Sequence, residues 1–363
     1  MAIAATIPTS NVAPSGEANG LASSAESGFW WADELAVYAR PTLRRSMSCL
    51  ASSLGVYLAL CVGAYFAMRV SVWLTLAGGV LASPFLLRTY IVFHDCTHGS
   101  FLPTKRANIW LGSVLGVIVY APFHNWRHNH AMHHATAADL DRRGHGDVAT
   151  LTVAEYYQRD LRGRLGYRLF RNPLVMFGLG PLFAMIIAPR IVPKTARPRM
   201  RRSVQATNAA LAVLVAGLCL LIGWRAFLLI EGPAAMLAGA AGIWLFYVQH
   251  QFEGTTWERR EEWSYLDAAL KGSSYLKLPK VLQFCTGNIG LHHVHHLNAR
   301  IPNYNLQAAH DAMPIFQAVP ALTLGEALRA SRLKLWDEDA KRLVTFTDAH
   351  SAFARAASAT TSS

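Results

Sequence analysis

The chain alternates long apolar runs with short polar segments that carry arginine. Runs at about 47–68, 72–92, 208–230 and 233–249 each approach the ~20 residues that a helix needs to cross a hydrocarbon layer of ~30 Å. Arg69–Ser71 joins the first two and Glu231–Gly232 the last two, so the runs read as two helical hairpins. A run at 109–123 is too short for a comfortable crossing and reads as re-entrant or interfacial. The run at 173–192 contains Pro173, Pro181 and Pro189 and has basic clusters at both ends. Under the positive-inside rule that makes a poor crossing, and it reads as a shallow surface segment. Counting both weaker runs as crossings gives a six-span alternative.

The flanks are simpler. Residues 1–28 are rich in Ala, Ser, Thr, Gly and Pro and lack an apolar signal core, which predicts a disordered tail. Trp30, Trp31 and Tyr38 precede Arg40, Arg44 and Arg45, a stretch suited to lying at an interface. Near the other end, Pro279–Leu291 reads as a helix carrying a histidine cluster. Thr323 and Glu326 form a capping box for a helix running to about Trp336. The fold class expected is an all-α integral membrane protein, with about four transmembrane helices in two hairpins, interfacial helices and a cytoplasmic cap of histidines.

Composition supports that class. The chain is 52% hydrophobic and only 15% charged, too oily for an ordinary soluble domain. Its net charge of +12 sits between apolar runs, where it reads as cytoplasmic loops and anionic-lipid contacts. A nucleic-acid partner is not expected, because no basic face interleaved with aromatics is present. Cys49, Cys61, Cys96, Cys219 and Cys285 have no CxxC spacing, hence no disulfide framework and no thiolate metal site.

The histidines carry the chemistry. His94 and His98 are spaced i,i+4; His130, His133 and His134 are i,i+3,i+4; His292, His295 and His296 repeat that second pattern. Residues so spaced share a helix face, so each cluster can aim its imidazoles at a common point. Eight nitrogen donors exceed what one tetrahedral ion takes and suit two metals with open positions. Imidazole alone does not choose among Zn, Cu, Fe and Ni. Two redox-active irons beside a membrane would suit oxidation of a lipid with dioxygen. Ligand imidazoles need acceptors for their second N–H, and Asp95, Asp141, Asp147, Glu253 and Asn288 are the candidates.

The strings HDCTHGSF (94–101), WRHNHAMHHATAADLDRRGHGDV (126–148), YVQHQFEGTTW (247–257) and GNIGLHHVHHLNARIPNYNL (287–306) resemble the membrane fatty acid desaturase family, in particular its bacterial omega-6/delta-12-like branch. The resemblance runs over about 60–330. It implies a non-haem di-iron centre, dioxygen as co-substrate, electrons from a separate ferredoxin or cytochrome donor, and a cis double bond formed in an acyl lipid or acyl thioester. It adds His250 as a ninth ligand, and it places Phe246 where some acyl-CoA members carry a metal-side asparagine. His128 and His293 fall outside the HxxHH frame. The implied domain spans 29–336, followed by a polar segment and tail at 337–363. The location expected is an inner, cytoplasmic membrane with both termini and all histidine boxes cytoplasmic. A di-iron hydroxylase or ketolase acting on a carotenoid, alkane or lipid is the alternative within the same chemistry. A histidine-rich metal transporter is the alternative from another class, although transporters place their ligands within the spans.

Overall fold

The structure is a computed structural model that describes residues 30–144, 148–351 and 353. The expected tail at 1–28, Asp147 and the end of the C-terminal segment lie outside the described residues. Two units divide at Val37. The first contributes one described helix, α1 (Trp30–Ala36).

The second unit begins with α2 (Leu43–Ala67), which contains a wider π turn at Ala51–Gly55, and α3 (Val72–His98). Ser71 sets the start of α3 by accepting the Trp73 amide on its hydroxyl at 3.2 Å. Next come α4 (Lys105–Ile118) and α5 (Phe123–Thr136), bent by 102° at the turn between them, the geometry of a broken span or of a re-entrant loop. After α6 (Leu161–Phe170) the chain bends 59° into α7 (Leu174–Arg190), whose backbone is largely π-wound. The long pair α8 (Pro198–Ile222) and α9 (Trp224–His250) completes the membrane layer. Among the described residues, helices α2, α3, α8 and α9 are the four long and apolar enough to cross a membrane; the two bent pairs would raise the number to six. Val213, Leu220 and Leu221 on α8 are 74, 89 and 78% exposed, an apolar face suited to lipid.

Several expected boundaries move. The last hairpin turns at Gly223 (φ 85°), whose left-handed backbone suits glycine, and not at Glu231–Gly232. Glu231 lies inside α9, where hydroxyls take both its oxygens. The α3 helix does not stop at the apolar run but continues through His98. Pro279–Leu291 is not one helix. A short α10 (Lys280–Cys285) ends, Gly287 and Asn288 turn the chain at positive φ, and the histidine cluster occupies its own helix, α11 (His292–Leu297).

Outside the membrane layer, short strands tie the loops together: β1 (Leu151–Thr152), β2 (Tyr275–Leu276), β3 (Ala321–Leu322), β4 (Leu335–Asp337) and β5 (Arg342–Val344). The first sheet has the order β1-β4-β5, with Leu151 opposite Leu335 and Leu335 opposite Val344; β2 pairs with β3 in parallel. The capping box at Thr323 and Glu326 forms, but its helix ends at Ala330 and Trp336 sits in β4. Trp336 packs with Leu140, Trp257 and Leu343, so burial of the indole overrides the helical pattern. Arg171 is wholly buried, not part of a basic surface. It donates to Ala149 O, Thr150 Oγ1, Tyr247 Oη, Gln251 Oε1 and Leu333 O, tying α6 to α9 and to the segment before β4.

Candidate metal centre

Four elements deliver the clustered histidines. The last turns of α3 carry His94 and His98, α5 carries His130, His133 and His134, α9 ends on His250, and α11 carries His292, His295 and His296. The fold gathers these nine into two groups. One is His94, His98, His130, His134 and His295; the other is His133, His250, His292 and His296. Within each group the donor nitrogens lie within 4.8 Å of one another. The second and third boxes do not aim at one point each, as their spacing suggested. His133 leaves His130 and His134 for the other group, and His295 parts from His292 and His296. Neighbouring helix positions point about 100° apart, so adjacent histidines can serve two centres.

The nitrogens face one another directly. His130 Nε2 lies 2.9 Å from His94 Nε2 and 3.1 Å from His134 Nε2, which in turn lies 3.1 Å from His295 Nε2. His250 Nε2 is 3.1 Å from both His133 Nε2 and His292 Nε2. A neutral imidazole has one donor and one acceptor nitrogen, so one proton cannot serve two such contacts as separate hydrogen bonds. Among the described residues, His98 Nε2 and His296 Nε2 are buried with no hydrogen-bond partner. Burial, and after it the facing imidazoles, holds His292, His295 and His296 well below the ordinary histidine value. These rings are therefore neutral at physiological pH, with lone pairs converging on two points. A pair of cations satisfies that donor set.

The groups behind the rings differ from those expected. Asp95 does face a histidine: its Oδ1 is 3.2 Å from His94 Nδ1, while its Oδ2 accepts the backbone and side-chain N–H groups of Asn303 at 2.7 and 2.8 Å. Asn288 stands one step further out, donating to Asn303 O at 2.9 Å. Asp141 is removed from the site. It pairs with Arg259 at 2.6 Å and accepts the Arg260 amide, joining two exposed loops. Glu253 is exposed to solvent. Two partners carried no sequence signal, namely Asn303 itself and the carbonyl of Gly272, which lies 3.0 Å from His250 Nδ1. His293 turns away to His310, with Nε2 3.1 Å from His310 Nδ1, so the HxxHH frame starting at His292 matches the geometry. Phe246 packs its ring 5.1 Å from that of His133.

A cavity of about 310 Å³ opens onto this cluster at His94, His130 and His292 and runs between α3 and α9. Leu86, Leu87 and Ile91 line it from α3, and Ala238, Gly239 and Gly242 from α9. Its wall is overwhelmingly hydrocarbon.

The sequence pattern of the fatty acid desaturase family matches residues 71–321, which holds every histidine of both groups. The chain belongs to the fatty acid desaturase family. Within it, the chain is 46% identical over 313 residues to a fatty acid desaturase of Bacillus subtilis (strain 168), covering 86% of this chain and 89% of that protein. It is 28% identical over 261 residues to the sn-1 acyl-lipid omega-3 desaturase (ferredoxin) of Synechocystis, covering 68% and 67%. With the sn-1 oleoyl-lipid 12-desaturase of the same organism it shares 25% over 237 residues, 63% and 65% of the two chains. The desaturase family is one of membrane-bound oxidoreductases, in accord with the apolar helices and the histidine clusters found here.

Proposed function

We propose that this protein places a double bond in the acyl chain of a membrane lipid, using two irons held by the nine histidines. His94, His98, His130, His134 and His295 would hold one iron, and His133, His250, His292 and His296 the other. The observation that carries the reading is the apolar slot that ends on His94, His130 and His292, members of both groups. A slot of that lining suits a hydrocarbon chain with its reacting carbons beside the cage.

Bound iron supplies activation of dioxygen, and the reaction removes two hydrogens from adjacent carbons. With two electrons and two further protons those hydrogens leave with dioxygen as two waters. The protein's own residues bind, orient and exclude water. Leu86, Leu87, Ile91 and Ile243 desolvate the acyl chain, and the helical walls hold it against the cage. Asp95 and the Gly272 carbonyl engage the Nδ1 atoms of His94 and His250, leaving Nε2 of each turned to its group. The electron donor is a separate protein of ferredoxin or cytochrome type; a ferredoxin is named for the Synechocystis omega-3 relative. The histidine boxes and both termini face the cytoplasm of an inner membrane, a placement supported by the exposed arginines Arg197, Arg199, Arg201 and Arg202 at the start of α8.

The test is to express the chain with a working donor, count iron and read fatty acids by gas chromatography with mass spectrometry, beside His133→Ala. A new double bond and about two irons per chain, both reduced by the substitution, are expected. An unchanged lipid profile from iron-loaded protein would overturn the reading.

A further inference from the structure

Behind one residue of the slot's lining, Tyr120, stands a carboxyl within a candidate membrane span. Glu231 lies on α9 among apolar residues, and each oxygen takes a different phenol: Oε1 accepts the Tyr120 hydroxyl at 2.6 Å, and Oε2 accepts that of Tyr57 on α2. An ionisable group at such depth is expensive and calls for a role. Tyr120 also lines the slot. From Gln249 to Ala238 the slot follows α9 for about 16 Å away from the cage, and Glu231 lies about two turns beyond Ala238. Tyr120 therefore bridges the last lining residues and the carboxyl behind them.

Its backbone is unusual in the same way. Tyr120 follows α4 at φ 61°, the left-handed position where helices usually end on glycine. The surrounding hydrogen bond, Ala121 N to Gly116 O at 2.7 Å, is that of such a terminus. Arg190 on α7 donates to the Tyr120 carbonyl and, at 2.8 Å, to Asn208 on α8. A bulky residue at a glycine-favouring position, fixed from α2, α7 and α9, is held there for its side chain.

We propose that Tyr120, fixed by Glu231 and Tyr57, is the floor of the acyl slot and determines how far the methyl end passes the histidine cage. The floor thereby sets which chain lengths are accepted and where the double bond falls. The inference rests on the desaturase reading only for that last consequence, since a floor limits binding whatever reaction follows.

The experiment compares wild type with Tyr120→Gly, Tyr120→Phe and Glu231→Leu. Glycine removes the ring while suiting the left-handed backbone, so the fold is retained. The first readout is binding of saturated fatty acids of increasing length to the purified, metal-loaded protein in detergent, followed by protection against thermal unfolding. Each further methylene buried raises affinity about fourfold. In wild type that gain stops at a defined length; in Tyr120→Gly it continues beyond it. Glu231→Leu, which frees the ring, blurs the stop, and Tyr120→Phe, which keeps the ring, moves it least. The second readout is double-bond position, expected to shift toward the carboxyl end in Tyr120→Gly as the chain slides deeper. An identical length limit in wild type and Tyr120→Gly overturns the proposal. A limit that moves in protein forming no unsaturated product would leave the floor standing and contradict the desaturase reading instead.

Discussion

Asp95 illustrates how single residues prepare the site. One carboxylate oxygen faces His94 Nδ1 and the other gathers two N–H groups of Asn303, so the ring is oriented by a carboxylate that is itself fixed. Asp95→Asn should cost about 10–100-fold in metal affinity, measured by chelator competition; unchanged affinity would deny it an orienting role. Neighbouring histidines should part company in the same assay. His292→Gln should lower metal content, whereas His293→Gln, whose ring touches His310, Tyr275 and Phe316 and belongs to neither group, should keep it. Acid acts on the same rings. Burial sets the folded-state values of His292, His295 and His296 below the unfolded one, so between the two the unfolded chain binds more protons. Stability of the metal-stripped protein is full above the unfolded value of about 6.5 and falls as pH drops below it. Thermal midpoints should decline from about pH 7 to about pH 5, and a flat profile would contradict the burial argument.

Among the elements, the α4–α5 turn is the least tolerant of added bulk. A Cβ at Gly116 would meet the Ala121 carbonyl oxygen at 2.4 Å, so Gly116→Ala should destabilise by about 1–3 kcal/mol in a thermal or denaturant titration, and a neutral result would mean the turn relaxes freely. Apolar length made the four long helices legible in the sequence, because lipid imposes it on any helix that spans. Their ends were less legible. The last hairpin reads from sequence as breaking at Glu231, because a carboxyl in an apolar run resembles a turn. Nothing local indicates that Tyr57 and Tyr120, distant in the chain, will take its oxygens. Trp336 reads as helical from the capping box before it, but pairing with Thr152 and Leu343 and packing on Trp257, all distant in sequence or across a turn, place it in a strand instead. The eight box histidines were legible because ligand spacing repeats on helices, whereas His250, alone at the end of α9, was legible only through the family resemblance. The division of each HxxHH box between two groups depends on where α9 and α11 bring His250 and His295, and spacing does not encode that. Asn303 and the Gly272 carbonyl were invisible because a loop asparagine and a backbone oxygen form no pattern.

For the molecule as a whole, α3 and α9 do two jobs with one pair of helices. Their histidine-bearing ends hold members of both clusters, and their apolar faces below form the slot. The cage and the hydrocarbon passage are thus fixed to the same rigid rods, which is how a protein can oxidise one carbon pair in an otherwise uniform chain. Oxidation at such a site has two outcomes that differ in mass: loss of two hydrogens, or gain of an oxygen. The direct measurement supplies membranes holding the protein and its electron donor with isotopically heavy dioxygen and weighs the acyl products by mass spectrometry. Desaturation yields chains lighter by two hydrogens, with the heavy oxygen recovered only in water. Heavy oxygen retained in the acyl chain would contradict it and make the protein a hydroxylase.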